Sequence, residues 1–262
     1  MPISDQFDSN LSAFTSTNGG ATWGRSVKIT SQDYHFQAGG IRSAGLPSAA
    51  IDGAGTVYVV WGDCRFRSGC SSDDIVMSSS SDGATWSAVT RIPIDATNST
   101  VDHFIPGIGV DMNTSGSTAH LALTYYFYPV SNCGNSCTLE VGFTTSQDGG
   151  HTWTAGKQLG PAMKLPWLAP SQNGLMVADY LAVAYSNGNP YGVFALAATP
   201  AGSVLNEFMA TTTAPLLTSP DEPLISSQAD VAVAAGTAPL VRRFLDDEGR
   251  NPNPRHAGPP ND

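Results

Sequence analysis

Ser146-Gln147-Asp148-Gly149-Gly150-His151-Thr152-Trp153 is written nearly letter for letter a second time as Ser16-Thr17-Asn18-Gly19-Gly20-Ala21-Thr22-Trp23. A shortened copy, Ser80-Ser81-Asp82-Gly83-Ala84-Thr85-Trp86, lies between them. Each copy reads as a tight turn between antiparallel strands. The Asp or Asn side chain accepts hydrogen bonds from backbone N–H groups just ahead of it. Glycine supplies the positive φ of the bend. The β-branched Thr starts the outgoing strand, and the Trp can fold its ring back over the turn. Asn18 lies 64 residues before Asp82, and Asp82 lies 66 before Asp148. A repeat of that period fixes the architecture before any other feature does.

Outward from the turns, the chain reads as short strands. Leu11–Ser16 and Ser26–Thr30 flank the first copy. Pro47–Asp52, Thr56–Trp61 and Asp74–Ser78 lead to the second, with Val89–Ile94 after it. Pro106–Asp111, His120–Tyr126 and Leu139–Thr145 lead to the third. A fourth unit reads as Met176–Ala184, a turn at Asn187-Gly188-Asn189, Tyr191–Ala198 and Phe208–Thr213, with no fourth turn copy. Asp230–Val233 and Pro239–Val241 suggest one more hairpin, expected to return to the N-terminal half unit. Residues 242–262 are charged and Pro-rich and read as a disordered tail.

Composition fits many short strands joined by turns. Only 13% of the 262 residues are charged, against a usual ~25%. Formal net charge is −10, which argues against nucleic-acid binding and against an anionic membrane surface. No run approaches the ~20 apolar residues of a membrane span. The cysteines form two close pairs, Cys64/Cys70 and Cys133/Cys137. Local disulfides suit that spacing; free thiols and a four-thiolate metal site are the alternatives, though neither pair has the Cys-x2-Cys spacing of a zinc ribbon. Disulfides imply an extracellular or periplasmic protein, while Met1–Ser4 carries no signal-peptide pattern. No metal or cofactor is expected from any motif.

Ser-x-Asp-x-Gly-x-x-Trp resembles the Asp-box, or BNR repeat, of the sialidase superfamily. The matching positions are Ser16, Asn18, Gly20 and Trp23; Ser80, Asp82 and Trp86; and Ser146, Asp148, Gly150 and Trp153. Asn18 replaces Asp in the first copy, and Ala84 stands where the second should have glycine. The resemblance implies an all-β propeller of four-stranded antiparallel blades over residues 1–241, with about four repeats, or a piece of a larger six-bladed propeller. It also implies that the turn copies lie on one face and the ligand on the other.

That opposite face is expected to gather His35, Arg42, Asp63, Arg65, Asp102, His103 and Trp167, with Asp179 and Tyr180 on an innermost strand near the channel. Arg65 and Arg67 read either as loop cations, solvated or paired with Asp73 and Asp74, or as a clamp for a carboxylate. His35 and His103 occupy similar positions before a first strand. Trp167 either stacks on a sugar or covers the core edge. A sialidase needs three arginines, a Tyr activated by Glu, and an Asp acid; with four Glu in the chain and Arg91-Ile92-Pro93 in an outer strand, no catalytic set carries over. Two function classes follow: a sialidase-like, glycan-directed protein, up to a glycoside hydrolase with a degenerate catalytic set, or a non-catalytic secreted propeller binding a glycan, a glycoconjugate or a protein.

Overall fold

Runs rich in Val, Ile, Tyr and Thr, punctuated by glycine turns, give seventeen strands and no α-helix among the described residues. The structure is a computed structural model and describes residues 1–5, 9–43, 45–213 and 216, together with the backbone of 231–233. The first sheet holds β1 (Pro2–Ser4), β2 (Asn10–Ala13) and β3 (Val27–Ser31). The second holds β4 (Ser48–Ile51), β5 (Val57–Asp63), β6 (Asp74–Ser80) and β7 (Thr90–Arg91). The third holds β8 (Asp102–Val110), β9 (Leu121–Tyr128), β10 (Thr138–Ser146) and β11 (Lys157–Lys164). A separate hairpin follows, β12 (Ala169–Ser171) with β13 (Gly174–Met176). The fourth sheet holds β14 (Ala182–Ser186), β15 (Asn189–Ala201), β16 (Val204–Thr212) and β17 (Val231–Val233). Neighbours within each sheet are antiparallel.

Strand β5 shows how the sheets stack. Its side chains alternate, and both faces are buried. Tyr58 and Val60 join Ile75, Ile108, Leu121 and Leu123 between the second and third sheets. Val59 and Trp61 join Leu11 and Val76 against the first sheet. The largest cluster, with Tyr126, Phe143, Leu159, Phe194 and Leu196, lies between the third and fourth sheets. The sheets meet where backbones come close. At β8, a Cβ on Gly109 would lie 2.6 Å from the Val183 carbonyl oxygen of β14.

The repeated turns are satisfied internally. Asp148 Oδ1 accepts from the Thr152 N–H at 2.8 Å, and Ser146 Oγ accepts from the Gly150 N–H at 2.9 Å. Asn18 and Ser16 make the matching bonds to Thr22 and Gly20. In the shortened copy Asp82 Oδ1 takes both Thr85 and Ala84 N–H groups, which hold its carboxyl down to about 2. Gly149 and Gly150 have φ of 70° and 90°, which a side chain would resist. The indoles differ: Trp153 is half-buried and donates to the Gly150 carbonyl at 3.0 Å, whereas Trp23 is half exposed.

These turns do not close a ring, and the propeller expectation is corrected here. The sheets pack in a row. Among the described residues the strands of the fourth sheet make no substantial contact with those of the first, and no sheet is closed or curled into a propeller blade. The first sheet has three strands, and the hairpin β12–β13 stands between the third and fourth sheets in sequence without joining either. Val231–Val233, expected to return to the N-terminal sheet, pairs with β16, with Thr212 opposite Val231. Residues 239–241 and 242–262 lie outside the described residues. The BNR-repeat assignment falls with the ring. A turn whose hydrogen bonds are all local specifies a hairpin and nothing about how sheets are arranged around an axis.

The cysteines form two disulfides, Cys64–Cys70 and Cys133–Cys137, consistent with an oxidising environment outside the cytoplasm. Among the described residues no helix is long and apolar enough to cross a membrane. Gly109→Ala is expected to destabilise the chain by about 1–3 kcal/mol, because the added methyl forces β8 away from β14. Urea unfolding followed by tryptophan fluorescence measures this, and an unchanged midpoint would contradict the close packing of that joint.

Candidate functional site

The polar ends of β5, β6, β8 and β9 meet at one end of the second and third sheets. Asp63 and Asp74 stand directly opposite each other across β5 and β6, a pairing that like charges disfavour. The loop closed by Cys64–Cys70 resolves it by giving each carboxylate its own arginine. Arg65 holds Asp63 at 2.6 Å and reaches back to Thr30 Oγ1 and the Ser31 carbonyl, tying the first sheet to the second. Arg67, buried, holds Asp74 at 2.5 Å and Asp95 at 2.8 Å. Arg91 adds a second cation, its Nε 2.8 Å from Asp74 Oδ2, close enough for an ion pair although not aligned as a hydrogen bond.

Residues Asp33 to Ser43 run across this end as a strap. The Asp33 carbonyl accepts the Cys64 N–H at 2.7 Å. The His35 N–H donates to Asp73 Oδ1 at 2.8 Å. Gln37 Nε2 donates to Asp73 Oδ2 at 2.9 Å and its Oε1 accepts from Ser43 Oγ. The Ala38 carbonyl accepts from the Tyr128 hydroxyl at 3.3 Å. The Arg42 N–H donates to the Leu175 carbonyl at 2.7 Å, beside the bridge between Ile41 and Leu175. One segment of eleven residues thus touches the second and third sheets and the β12–β13 hairpin.

Two buried carboxylates anchor the strap. Asp102 Oδ1 accepts the Asp73 N–H at 2.7 Å, and Asp102 Oδ2 lies 3.0 Å from His35 Nδ1. A carboxylate only accepts, so the proton sits on Nδ1 and the other ring nitrogen is left for a ligand. Asp102 is fully buried, whereas the His35 side chain is 20% exposed. Burial drives the Asp73 carboxyl up to about 8, opposed by the His35 and Gln37 hydrogen bonds and reinforced by the negative charges of Asp102 and Asp63. At neutral pH Asp73 therefore holds a proton.

The expected site residues divide between two sides of this layer. His35 and Asp102 come together under the strap. Arg42 joins Asp179 at 2.8 Å, next to them in the chain order of the strap. Asp179 and Tyr180 are not on an innermost strand; they lie in the irregular segment between β13 and β14, with Tyr180 70% exposed. Asp63 and Arg65 are locked to each other. His103 does not match His35: it is buried on the opposite side, with Nδ1 3.3 Å from the Asp73 carbonyl. Trp167 is half-buried, with Lys164 Nζ 5.7 Å from its ring centroid. Gln37 and Asp95 were missed; Asp74, expected as an arginine partner, pairs with Arg67, whereas Asp73, expected in the same role, lies under the strap instead. Asp73-Asp74 and Asp102-His103 share a signal: adjacent titratable residues at the start of a strand.

The sialidase-like function is corrected by the same geometry. Arg42, Arg65, Arg67 and Arg91 are each committed to an aspartate, so they do not form a free triad for a substrate carboxylate. The hydroxyls of Tyr58, Tyr126 and Tyr128 bind Asp52 and two backbone carbonyls rather than a glutamate. Ligand atoms of Asp74, Asp95 and His103 fall within 4.8 Å of one another, but the guanidinium groups of Arg67 and Arg91 already neutralise both carboxylates.

No family model matches the chain, and no curated protein matches it. Among solved structures it is similar to an α-L-arabinanase from Penicillium chrysogenum, 14% identical with a TM-score of 0.47, covering 76% of this chain and 51% of that one. An α-L-arabinofuranosidase from Fusarium graminearum is 15% identical with a TM-score of 0.47, covering 78% and 51%. A Hadza microbial sialidase is 13% identical with a TM-score of 0.41, covering 78% and 43%. The chain spans about half the length of the first two. Likenesses at this level carry no inference about activity.

The proton on Asp73 makes stability pH-dependent. Its folded pKa of about 8 lies above the ordinary 3.8, so between those values the folded chain binds a proton that the unfolded chain does not. This contribution falls as pH rises from about 4 to 8 and is lost above that. Neutral burial of His103 acts oppositely, since burial lowers its pKa. Asp73→Asn is therefore expected to remove the falling component, so that the stability difference between wild type and variant shifts toward the variant with rising pH. Thermal unfolding at pH 5, 6.5 and 8 measures it, and a pH-independent difference would contradict the protonated state.

Proposed function

We propose that the strap face binds a neutral, polyhydroxylated ligand of the carbohydrate class, in a location outside the cytoplasm, extracellular or periplasmic. One observation carries this reading: the strap holds an imidazole fixed at 3.0 Å by a fully buried carboxylate and, at the next residue, an aromatic ring, Phe36, that is 75% exposed. A ring so exposed on a loop pinned at both ends offers a flat apolar platform. Tyr34 braces it edge-on, with ring centroids 4.9 Å apart. The second ring nitrogen of His35 and the Arg42–Asp179 pair supply donors and acceptors on the same strap, the polar complement to an apolar platform that small polar ligands need. The carboxylates Asp33, Asp63, Asp102 and Asp179 and the committed arginines disfavour an anionic ligand. Asp102 fixes the His35 ring through Nδ1, so that its other nitrogen is held in one orientation for a ligand hydroxyl.

Titration of the protein with a panel of neutral and sialylated oligosaccharides, followed by the NMR shifts of the His35 ring protons, tests the proposal. Saturable shifts with a neutral member are expected. Phe36→Ala and His35→Ala should each weaken that binding about tenfold, the scale of one lost aromatic or hydrogen-bonding contact. Binding confined to the sialylated members, or no binding by any, would overturn it.

A further inference from the structure

The opposite side of the Asp73–Asp102 layer opens into a cleft of 380 Å³ between the second and third sheets, within the roughly 300–1,000 Å³ of small-molecule sites. Tyr125, Phe127 and His103 line it, their ring centroids 5.4 to 6.3 Å apart. Tyr125 and His103 are each only 2% exposed. His103 Nδ1 faces the Asp73 carbonyl, which can only accept, so that nitrogen carries the proton and Nε2 presents a lone pair. Among the described residues neither Nε2 nor the Tyr125 hydroxyl has a hydrogen-bond partner. Neither atom is among the fully buried unpartnered ones, so both open onto the cleft. Gly156 leaves the hydroxyl room: a Cβ there would lie 2.7 Å from it.

Glu140 lines the same cleft, half-buried, with Thr138 Oγ1 at 3.3 Å as its hydrogen-bond partner. Among the described residues no cation stands within 4.0 Å of it. Lys157 also lines the cleft and makes no ion pair with it. Burial raises the Glu140 pKa, as expected for a carboxylate lacking a counter-charge. The cleft thus offers one accessible aromatic ring, Phe127, a lone-pair nitrogen and an unpaired carboxylate, in a chain of net charge −10.

We propose that this cleft is a second binding site, independent of the strap face, for a small organic ammonium ion. The Phe127 ring, the accessible one of the three, attracts the cation, Glu140 supplies its counter-charge, and the Tyr125 hydroxyl and His103 Nε2 take a polar substituent. A quaternary head group with a short hydroxyl arm matches this set, and choline is the simplest probe.

Calorimetric titration with choline chloride tests the site against the uncharged isostere in which carbon replaces the quaternary nitrogen. Choline is expected to bind saturably and about tenfold more tightly than the isostere, the scale of a desolvated cation–π and carboxylate contact. Glu140→Gln, at a half-exposed position, should remove about tenfold of that affinity, and Phe127→Leu should weaken it while both variants keep the wild-type unfolding midpoint within a few degrees. Equal binding of choline and the isostere, no saturable choline binding, or undiminished affinity in Glu140→Gln would overturn the proposal.

Discussion

Asp73 and Asp102 lie together beneath the 33–43 strap, where an ionised carboxylate without partners would be costly. Each is supplied with backbone and side-chain donors from segments far apart in sequence: His35 and Gln37 for Asp73, and Asp73 itself with His35 for Asp102. A hydrogen bond of this kind is worth about 0.5–1.5 kcal/mol net, and stripping one from a buried acceptor costs the desolvation of that group as well, about 1–3 kcal/mol. The strap is thereby anchored at several points although it has no strand geometry. Its position in turn fixes the β12–β13 hairpin through Ile41 and Arg42 and the third sheet through Ala38.

The same layer separates two chemistries because side chains alternate along a strand. At the start of β8, Asp102 faces the strap while its neighbour His103 faces the cleft; before β6, Asp73 and Asp74 divide in the same way. On the outer side the charges are cancelled by arginines from the disulfide-closed loop, which converts an unfavourable Asp63–Asp74 pairing into a braced corner. A buried ion-pair network of this kind is weak as a source of net stability, but loss of one member leaves an unpaired charge inside. Its service here is to hold the polar strand ends rigid, so that His35 and Phe36 on one side and Tyr125 and Glu140 on the other are presented in fixed places.

The strands of the second and third sheets were legible because Thr56–Trp61 and His120–Tyr126 are unbroken β-rich runs bounded by recognisable turns. The hairpin at Asn187-Gly188 was legible for its positive φ values, 51° and 75°. Lys157–Lys164 was not, since Gly160 and Pro161 read as a break and only Leu159 and Met163 of that strand point into the core. Met176–Ala184 read as one strand, but the Arg42–Asp179 pair and the Ile41–Leu175 bridge hold its two halves apart. The arrangement of the sheets was misread because the repeated turns carry only local geometry; what sets the row is contact such as Gly109 against Val183, invisible without coordinates. The site was half legible. His35 and Asp102 were named, but their pairing spans 67 residues, and nothing in the local pattern around Asp73 marks it as buried.

Function therefore hangs on whether the strap is a fixed platform. A loop of ordinary surface character would present Phe36 and His35 in many orientations and recognise nothing specific. Amide hydrogen exchange resolved at His35 and Asp73 is the most direct measurement, because these two N–H groups donate to the Asp73 and Asp102 carboxylates and to no strand partner. Protection equal to that of the β5 and β9 amides is expected. Exchange at the rate of an unprotected loop, with β5 and β9 still protected, would contradict a strap anchored by buried carboxylates and, with it, the site built upon it.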